Sequence, residues 1–526
     1  MRFCVAVAVV CLFVSLTAAQ ATRPVHSGMP NVQPFWNTHA ARFIYPPAFE
    51  FARVNGATRY RFTIECSDGS KRDFLADSPW APLSPVWNQI PEGFTRVRID
   101  AIGDKDKGLS ACGDRTFYRS PGFSAPTTRA TVSYKDAGRA GLKAIFDAPH
   151  VRHWLIDGKP DRTYARYCYP AKVMGGLMRG MVAYSRIAQS QHDRDDALQI
   201  AKNVADHLIE ISIPVGDALS AFPPTYSLDV DNPVPAARER APARWLMVPS
   251  AADTALGYLD LYQATHDQRY LDAAKRIAAT YARTQESDGT WPLQADFKTG
   301  KAIAPQRTVP TWIIWLFDRL SRDYGVSEYA TVRDRAWKWI EDNPLKTYQW
   351  DGQFEDVKPR GPYENLAREQ ACDVAVMLFA DSKDHPERAA QADELLRFAE
   401  DQFVVWSPVK FPQQWEQAMP NRRKHMAVWI TPCVLEQYAC YDPVARSNAI
   451  VMNTYIAGYK ATGNKDYLAR AEALAGGMIE AQKWLARDYN GNGEIPTWQM
   501  RNKPINWLNN SYYAADALLN LAEVAP

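Results

Sequence analysis

Tyr262-Gln263-Ala264-Thr265, followed by Gln268-Arg269-Tyr270-Leu271 and then by Gln285 and Gly289, is the stretch on which the fold turns. The series returns as Tyr459-Lys460-Ala461-Thr462, Lys465-Asp466-Tyr467-Leu468, Gln482 and Gly493, and a weaker copy surrounds Tyr184 and Ala197-Leu198. Apolar residues on either side recur at three- and four-residue spacing, so each copy is a helical hairpin. Repeated hairpins stack into an open solenoid or close into a ring.

Outward from these copies the helical period continues. The spacing predicts helices over 138–146, 171–189, 195–211, 250–265, 270–285, 311–322, 329–340, 365–380, 387–403, 444–461, 467–484 and 506–522, with a shorter one over 431–441 stopped by Pro443. Short turns near 190–194, 265–269, 323–327, 381–386 and 461–465 alternate with long connections over 212–249, 286–310, 341–364, 404–430 and 485–505. In an up-down array all the long connections then project from one rim. Loops of that length inside a compact domain usually carry function.

From about residue 40 to 125 the period is two instead. Ala48-Phe49-Glu50-Phe51-Ala52-Arg53-Val54, Tyr60-Arg61-Phe62-Thr63-Ile64 and the run from Phe94 to Ile102 alternate, bounded by Asn55-Gly56, Asp68-Gly69 and Glu92-Gly93. A small antiparallel β-sandwich is the expected solution. Pro47–Phe51 with Asn55–Arg61 resembles the opening strands of fibronectin type III modules. The helical part, through its hairpin count and loop asymmetry, resembles the (α/α)6 toroid of glycoside hydrolases and polysaccharide lyases, glucuronyl hydrolases among them. That resemblance implies a sugar-binding cup on the built-up rim, at the N-terminal ends of the inner helices. The expected division is a signal peptide over 1–21, a β-sandwich over 22–130 and the toroid over 131–526.

Composition narrows the function. With 61 Lys and Arg against 59 Asp and Glu the net charge is +2, which gives no footprint for nucleic acid. The 17 Trp, 25 Tyr and 20 Phe offer more aromatic surface than a core alone requires, and such rings cover the C–H faces of sugars. Met1-Arg2, an apolar run from Val5 to Leu16 and small residues through Ala21 read as a cleaved secretory signal, so a secreted or periplasmic protein is expected. No later run has the length of a membrane helix. Cys4 and Cys11 leave with that signal; Cys66 and Cys112 could pair, but isolated buried thiols are the expectation for the six that remain.

The chemistry is expected on the crowded rim. The loop from Tyr348 to Asn365 holds Trp350, Glu355, Asp356, Arg360 and Tyr363. Glycoside hydrolysis needs one carboxylic acid to protonate the leaving oxygen and a second carboxylate for water or covalent attack. Glu355 and Asp356 are the catalytic candidates, with a partner from Asp229, Asp231, Asp288, Asp296, Glu416 or Glu494. Trp415-Glu416 through Arg422-Arg423-Lys424-His425 brings cations that clamp carboxylate or sulfate. Arg307, Arg360 and Arg422 therefore point to an acidic polysaccharide or oligosaccharide as partner. A rival reading is a polysaccharide lyase that removes the proton beside a uronate carboxyl, with Tyr363 or His425 as base and Arg360 and Asn365 neutralising the acid. A non-catalytic carbohydrate-binding protein is the third. Trp291, Trp350, Trp415 and Trp498 are the candidate sugar-stacking rings, whereas Trp312, Trp315, Trp337 and Trp339 read as core.

Metal chemistry has one candidate. Asp488, Asn490 and Asn492 with Gly493 match the start of a calcium loop, but its twelfth position is Gln499 instead of a bidentate Glu. No cofactor is otherwise expected.

Overall fold

The two best copies of the repeat fold into one set of hydrogen bonds. Thr265 and Thr462 each donate a hydroxyl to the carbonyl four residues back, Leu261 and Gly458, at 2.7 Å. His266 and Gly463 then adopt left-handed backbone (φ 55° and 71°) and end the helix. Asp267 and Asn464 cap the next one, accepting from the N–H of Arg269 and Asp466 at 3.1 and 3.0 Å. Further on, Gln285 Nε2 donates to the Gly289 carbonyl and Gln482 Nε2 to that of Gly493, at 2.8 and 2.5 Å. The recurring letters are stop, start and stitch of a hairpin.

The computed structural model describes residues 23–25, 36, 39–124, 132–227, 244–355, 357, 360–409 and 428–525. Among them are α1 (Tyr134–Asp147), α2 (Gly175–Ile187), α3 (Gln191–Ile211), α4 (Ser250–Thr265), α5 (Gln268–Thr284) and α6 (Thr311–Tyr324). Then follow α7 (Ala330–Asp342), α8 (Glu369–Asp381), α9 (Glu387–Phe403), α10 (Ala445–Thr462), α11 (Lys465–Tyr489) and α12 (Leu508–Ala522). The even-numbered helices pack in succession, and α12 returns to α2, so the order of contacts closes on itself. Each odd-numbered helix lies against one of them: α3 on α2, α5 on α4, α7 on α6, α9 on α8, α11 on α10, and α1 on α12.

The residues explain the two layers. α5 buries one face, Tyr270, Leu271, Ala273, Ala274, Ile277, Ala278, Thr280 and Tyr281, and leaves the opposite one to solvent. α4 buries every residue from Ala251 to Leu259, as a helix covered on all sides must. Small residues let the layers approach: a Cβ on Gly138 of α1 would lie 2.8 Å from the Ala515 carbonyl of α12. The paired glycines are packing devices as well. A Cβ on Gly176 would meet that of Asn509 at 2.7 Å, and one on Gly477 would sit 1.9 Å from the Pro432 carbonyl.

The expected helix over 431–441 is not formed. Cys433–Val434 is instead a short strand, antiparallel to Val404–Val405, and Val434 and Leu435 are buried in extended backbone. Short apolar runs fit either period, and here pairing with the exit of α9 decides. The 404–430 connection therefore runs on to Val444.

The N-terminal segment forms one five-stranded sheet: β1 (Arg42–Phe43), β2 (Arg59–Glu65), β3 (Lys71–Ala76), β4 (Gly93–Ile102) and β5 (Gly108–Arg119), in the order β1-β5-β4-β2-β3. All pairs are antiparallel except β1 with β5. A second facing sheet is not found among the described residues. The apolar face of Phe62, Val97, Ile99 and Phe117 is covered by Phe43, Phe49 and Trp87 instead, with Trp87 stacked on Phe117 at 6.1 Å. The sheet docks on the end of α9: Asp401 Oδ1 accepts from the N–H groups of Ile44 and Tyr45 at 2.6 and 2.8 Å, and Arg42 Nη2 donates to the Val404 carbonyl at 2.7 Å. One apolar core runs through both parts. Cys66, Cys112, Cys168, Cys372, Cys433 and Cys440 are all free thiols, so Cys66 and Cys112 do not pair. No helix of the described residues is long and apolar enough to cross a membrane.

Candidate active site

The six even-numbered helices all begin at one end, around a cavity of about 130 Å³. Lys172 stands just ahead of α2, Asp253 in the first turn of α4, and Trp312 at the start of α6. Glu369 opens α8, Arg446 opens α10, and Trp507 precedes α12. Helix N-termini carry unpaired N–H groups and positive potential, so carboxylates are favoured there. The long connections close the space from above, through Pro249, Val309, Gln353-Phe354-Glu355, Glu436 with Cys440, and Thr497-Trp498. The expectation that distant connections gather at one mouth is what the lining shows.

Charge pairs organise the walls. The Lys172 ammonium donates to Glu355 Oε1 at 2.5 Å and lies 5.5 Å from the Trp507 ring centre, a cation–π distance. Burial pushes the Glu355 carboxyl up, but Lys172, by charge and hydrogen bond, more than offsets this, and the group titrates below its ordinary value. Across the cavity Arg446 donates to Glu369 Oε1 at 2.6 Å and sits over the Tyr513 ring at 4.4 Å. Asp253 accepts from Arg179 at 2.7 Å and from the Tyr513 hydroxyl at 2.9 Å. Behind Glu369, one turn along α8, Asp373 is buried and accepts from Thr311 Oγ1 at 2.8 Å. Burial, then the charge of Glu369, pushes its carboxyl up to about 8, so it holds a proton at neutral pH. The indole N–H groups of Trp498 and Trp507 are buried in the wall and have no hydrogen-bond partner.

The expected site residues fall into four groups. Glu355 and Trp498 line the cavity. Arg307 and Arg360 line a neighbouring groove, where Arg307 is already paired with Glu286 at 2.6 Å and Asp288 at 2.7 Å. Others are committed to the scaffold. Trp291 and Trp350 are each 1% exposed and have no face to offer a ligand. Asn365 bridges Gln437 and the Ala439 N–H, both at 2.7 Å. Tyr363 donates its hydroxyl to the Thr347 carbonyl at 2.9 Å, and burial pushes that phenol up to about 12. Asp356, Trp415, Arg422 and His425 lie outside the described residues, as do Asp229, Asp231 and Glu416.

In the candidate calcium loop Asp488 pairs with Arg487 at 2.7 Å and Asn490 is the left-handed cap of α11 (φ 55°). No cluster of three His, Cys, Asp or Glu suited to a metal occurs among the described residues. Sequence reasoning missed Lys172, Asp253, Glu369, Asp373, Arg446 and Trp507. Most sit within a few residues of an inner-helix start, and that position was the available sign. Trp312, read as core, faces the cavity.

No family model matches the chain, and no curated protein does. Solved structures similar to it include a family 76 glycoside hydrolase from a bovine Bacteroides thetaiotaomicron strain, 13% identical over 92% of this chain and 97% of that one, with a TM-score of 0.48. An unsaturated glucuronyl hydrolase specific for heparin is 11% identical over 74% and 96%, with a TM-score of 0.44. A D-mannose isomerase is 13% identical over 76% and 100%, with a TM-score of 0.48.

Proposed function

We propose that this chain is an exported carbohydrate-active enzyme, an (α/α)6 toroid with a five-stranded sheet docked on it, that hydrolyses a glycosidic bond in a uronate-bearing saccharide. One observation carries the reading: Glu355, from a long connection, reaches Lys172 inside a cavity that also holds Glu369, Asp253 and three indoles. Water adds across the bond, so the leaving oxygen must gain a proton and the anomeric carbon an oxygen. Glu355, kept ionised by Lys172, is the carboxylate that activates water or attacks the carbon. Glu369, lining the same cavity with Asp373 one turn behind it on α8, is the second carboxyl, in the position of the acid. Trp498 and Trp507 offer flat faces and unpaired N–H groups to the ring and its hydroxyls. Lys172 and Arg446 are already paired with Glu355 and Glu369, so Arg368 and the six helix N-termini are what favour a carboxylate on the sugar.

Incubation with uronate-bearing and neutral oligosaccharides tests this. New reducing ends without an ultraviolet chromophore, lost in Glu355→Gln, support hydrolysis. An unsaturated product would make the protein a lyase, and affinity without any product a binding protein.

A further inference from the structure

Beside the cavity lies a second hollow of about 490 Å³ for which the hydrolytic step has no use. Val309 and Gln353 belong to the walls of both, so the two spaces share a partition. It is braced: Gln353 Nε2 donates to the Arg307 carbonyl at 2.9 Å, and its Oε1 accepts from the Val309 N–H at 3.0 Å. The groove is thus the immediate neighbour of the cavity, one side-chain layer away.

The lining has the chemistry of polyol recognition. Trp339, half-buried on α7, supplies a flat apolar face, and the amides of Gln306 and Gln349 stand with the Asp351 carboxylate around it. Gln306 Nε2 donates to the Arg360 carbonyl at 3.2 Å and Gln349 Nε2 to Asp351 Oδ2 at 2.7 Å, which fixes these polar groups in the wall of the groove. The Arg307 charge is already neutralised by Glu286 and Asp288, and the remaining charges of the lining, Arg360 and Asp351, are of opposite sign, so the groove does not select for an anion.

We infer that this groove is a second saccharide site, which holds neutral sugar units beyond the bond cleaved in the cavity. The inference rests on the cavity being the hydrolytic site. Trp339→Ala and Gln306→Ala, in the full chain, are compared with the parent on a uronate-capped disaccharide and hexasaccharide, by kinetics and calorimetry. The ratio of kcat/KM, long over short, is expected to fall about tenfold in each variant, and because it is a ratio it is insensitive to partial misfolding. An unchanged ratio in a parent that cleaves both overturns the groove and leaves the cavity reading standing. A parent that binds the hexasaccharide without cleaving it, with affinity lost in both variants, keeps the groove and removes hydrolysis. A parent that neither binds nor cleaves overturns both.

Discussion

The Lys172 ammonium and the Glu355 carboxylate, 183 residues apart in the chain, meet in a largely buried ion pair at the head of α2. Removing one partner of such a pair leaves the other charged and unsolvated, which costs more than the pair is worth. Catalysis and stability therefore respond to the two residues differently.

Glu355→Gln is expected to lower kcat by at least about a hundredfold, and to cost some stability as well, since Lys172 loses its charge partner. Lys172→Met acts through Glu355. The carboxyl, now depressed by Lys172, rises once that charge and hydrogen bond are gone, so the acid limb of the pH–rate profile moves to higher pH. Profiles of kcat/KM for parent and variant decide this, and a superimposable acid limb contradicts the assignment.

Asp373 gives a stability signature of opposite sense. Its carboxyl is about 8 in the fold against 3.8 for the ordinary group. Its contribution is complete below the ordinary value and is lost as pH rises through the folded one, because the unfolded chain releases that proton first. Asn at this position keeps a polar group beside Thr311 without the charge. The Tm difference, Asp373→Asn minus parent, is expected to climb between about pH 4 and pH 8 and then level off. A difference that stays flat across that window places no proton on Asp373.

Adjacent glycines of α11 should behave in opposite ways. A methyl added at Gly476 would find nothing within 4 Å, so Gly476→Ala is expected to stabilise by about 0.5–1 kcal/mol. Gly477→Ala drives a methyl against the Pro432 backbone carbonyl and is expected to cost about 1–3 kcal/mol. Denaturant melts of the two variants check both signs.

Tryptophans separate by what they face. Trp291→Ala and Trp350→Ala empty fully buried sites and are expected to cost about 3–5 kcal/mol. Trp498→Ala removes a cavity wall, so KM is expected to rise with a smaller loss of stability. Thermal melts beside Michaelis kinetics distinguish the two classes.

Much of the architecture was legible because its cues are local. The Thr265 and Thr462 stops, the Asp267 and Asn464 caps and the alternation of loop lengths all act within a few residues of chain. The site was legible only where it lies on a long connection, as Glu355 and Trp498 do. Lys172, Glu369 and Arg446 look like ordinary helix-start residues until the closed order of helices points them at one another. Trp291 and Trp350 show the converse: a position in a long connection says nothing about exposure when that connection folds back on the core. The segment 431–441 was misread because its partner, Val404–Val405, lies far off in sequence.

The return of α12 to α2, with α1 clamped on its outer side, means that the chamber lacks its sixth wall until Leu508–Ala522 has been synthesised. A stop codon at position 508 itself would leave every acid and indole of the pocket encoded, yet around an open gap. Lesions late in the coding frame should therefore resemble active-site knockouts.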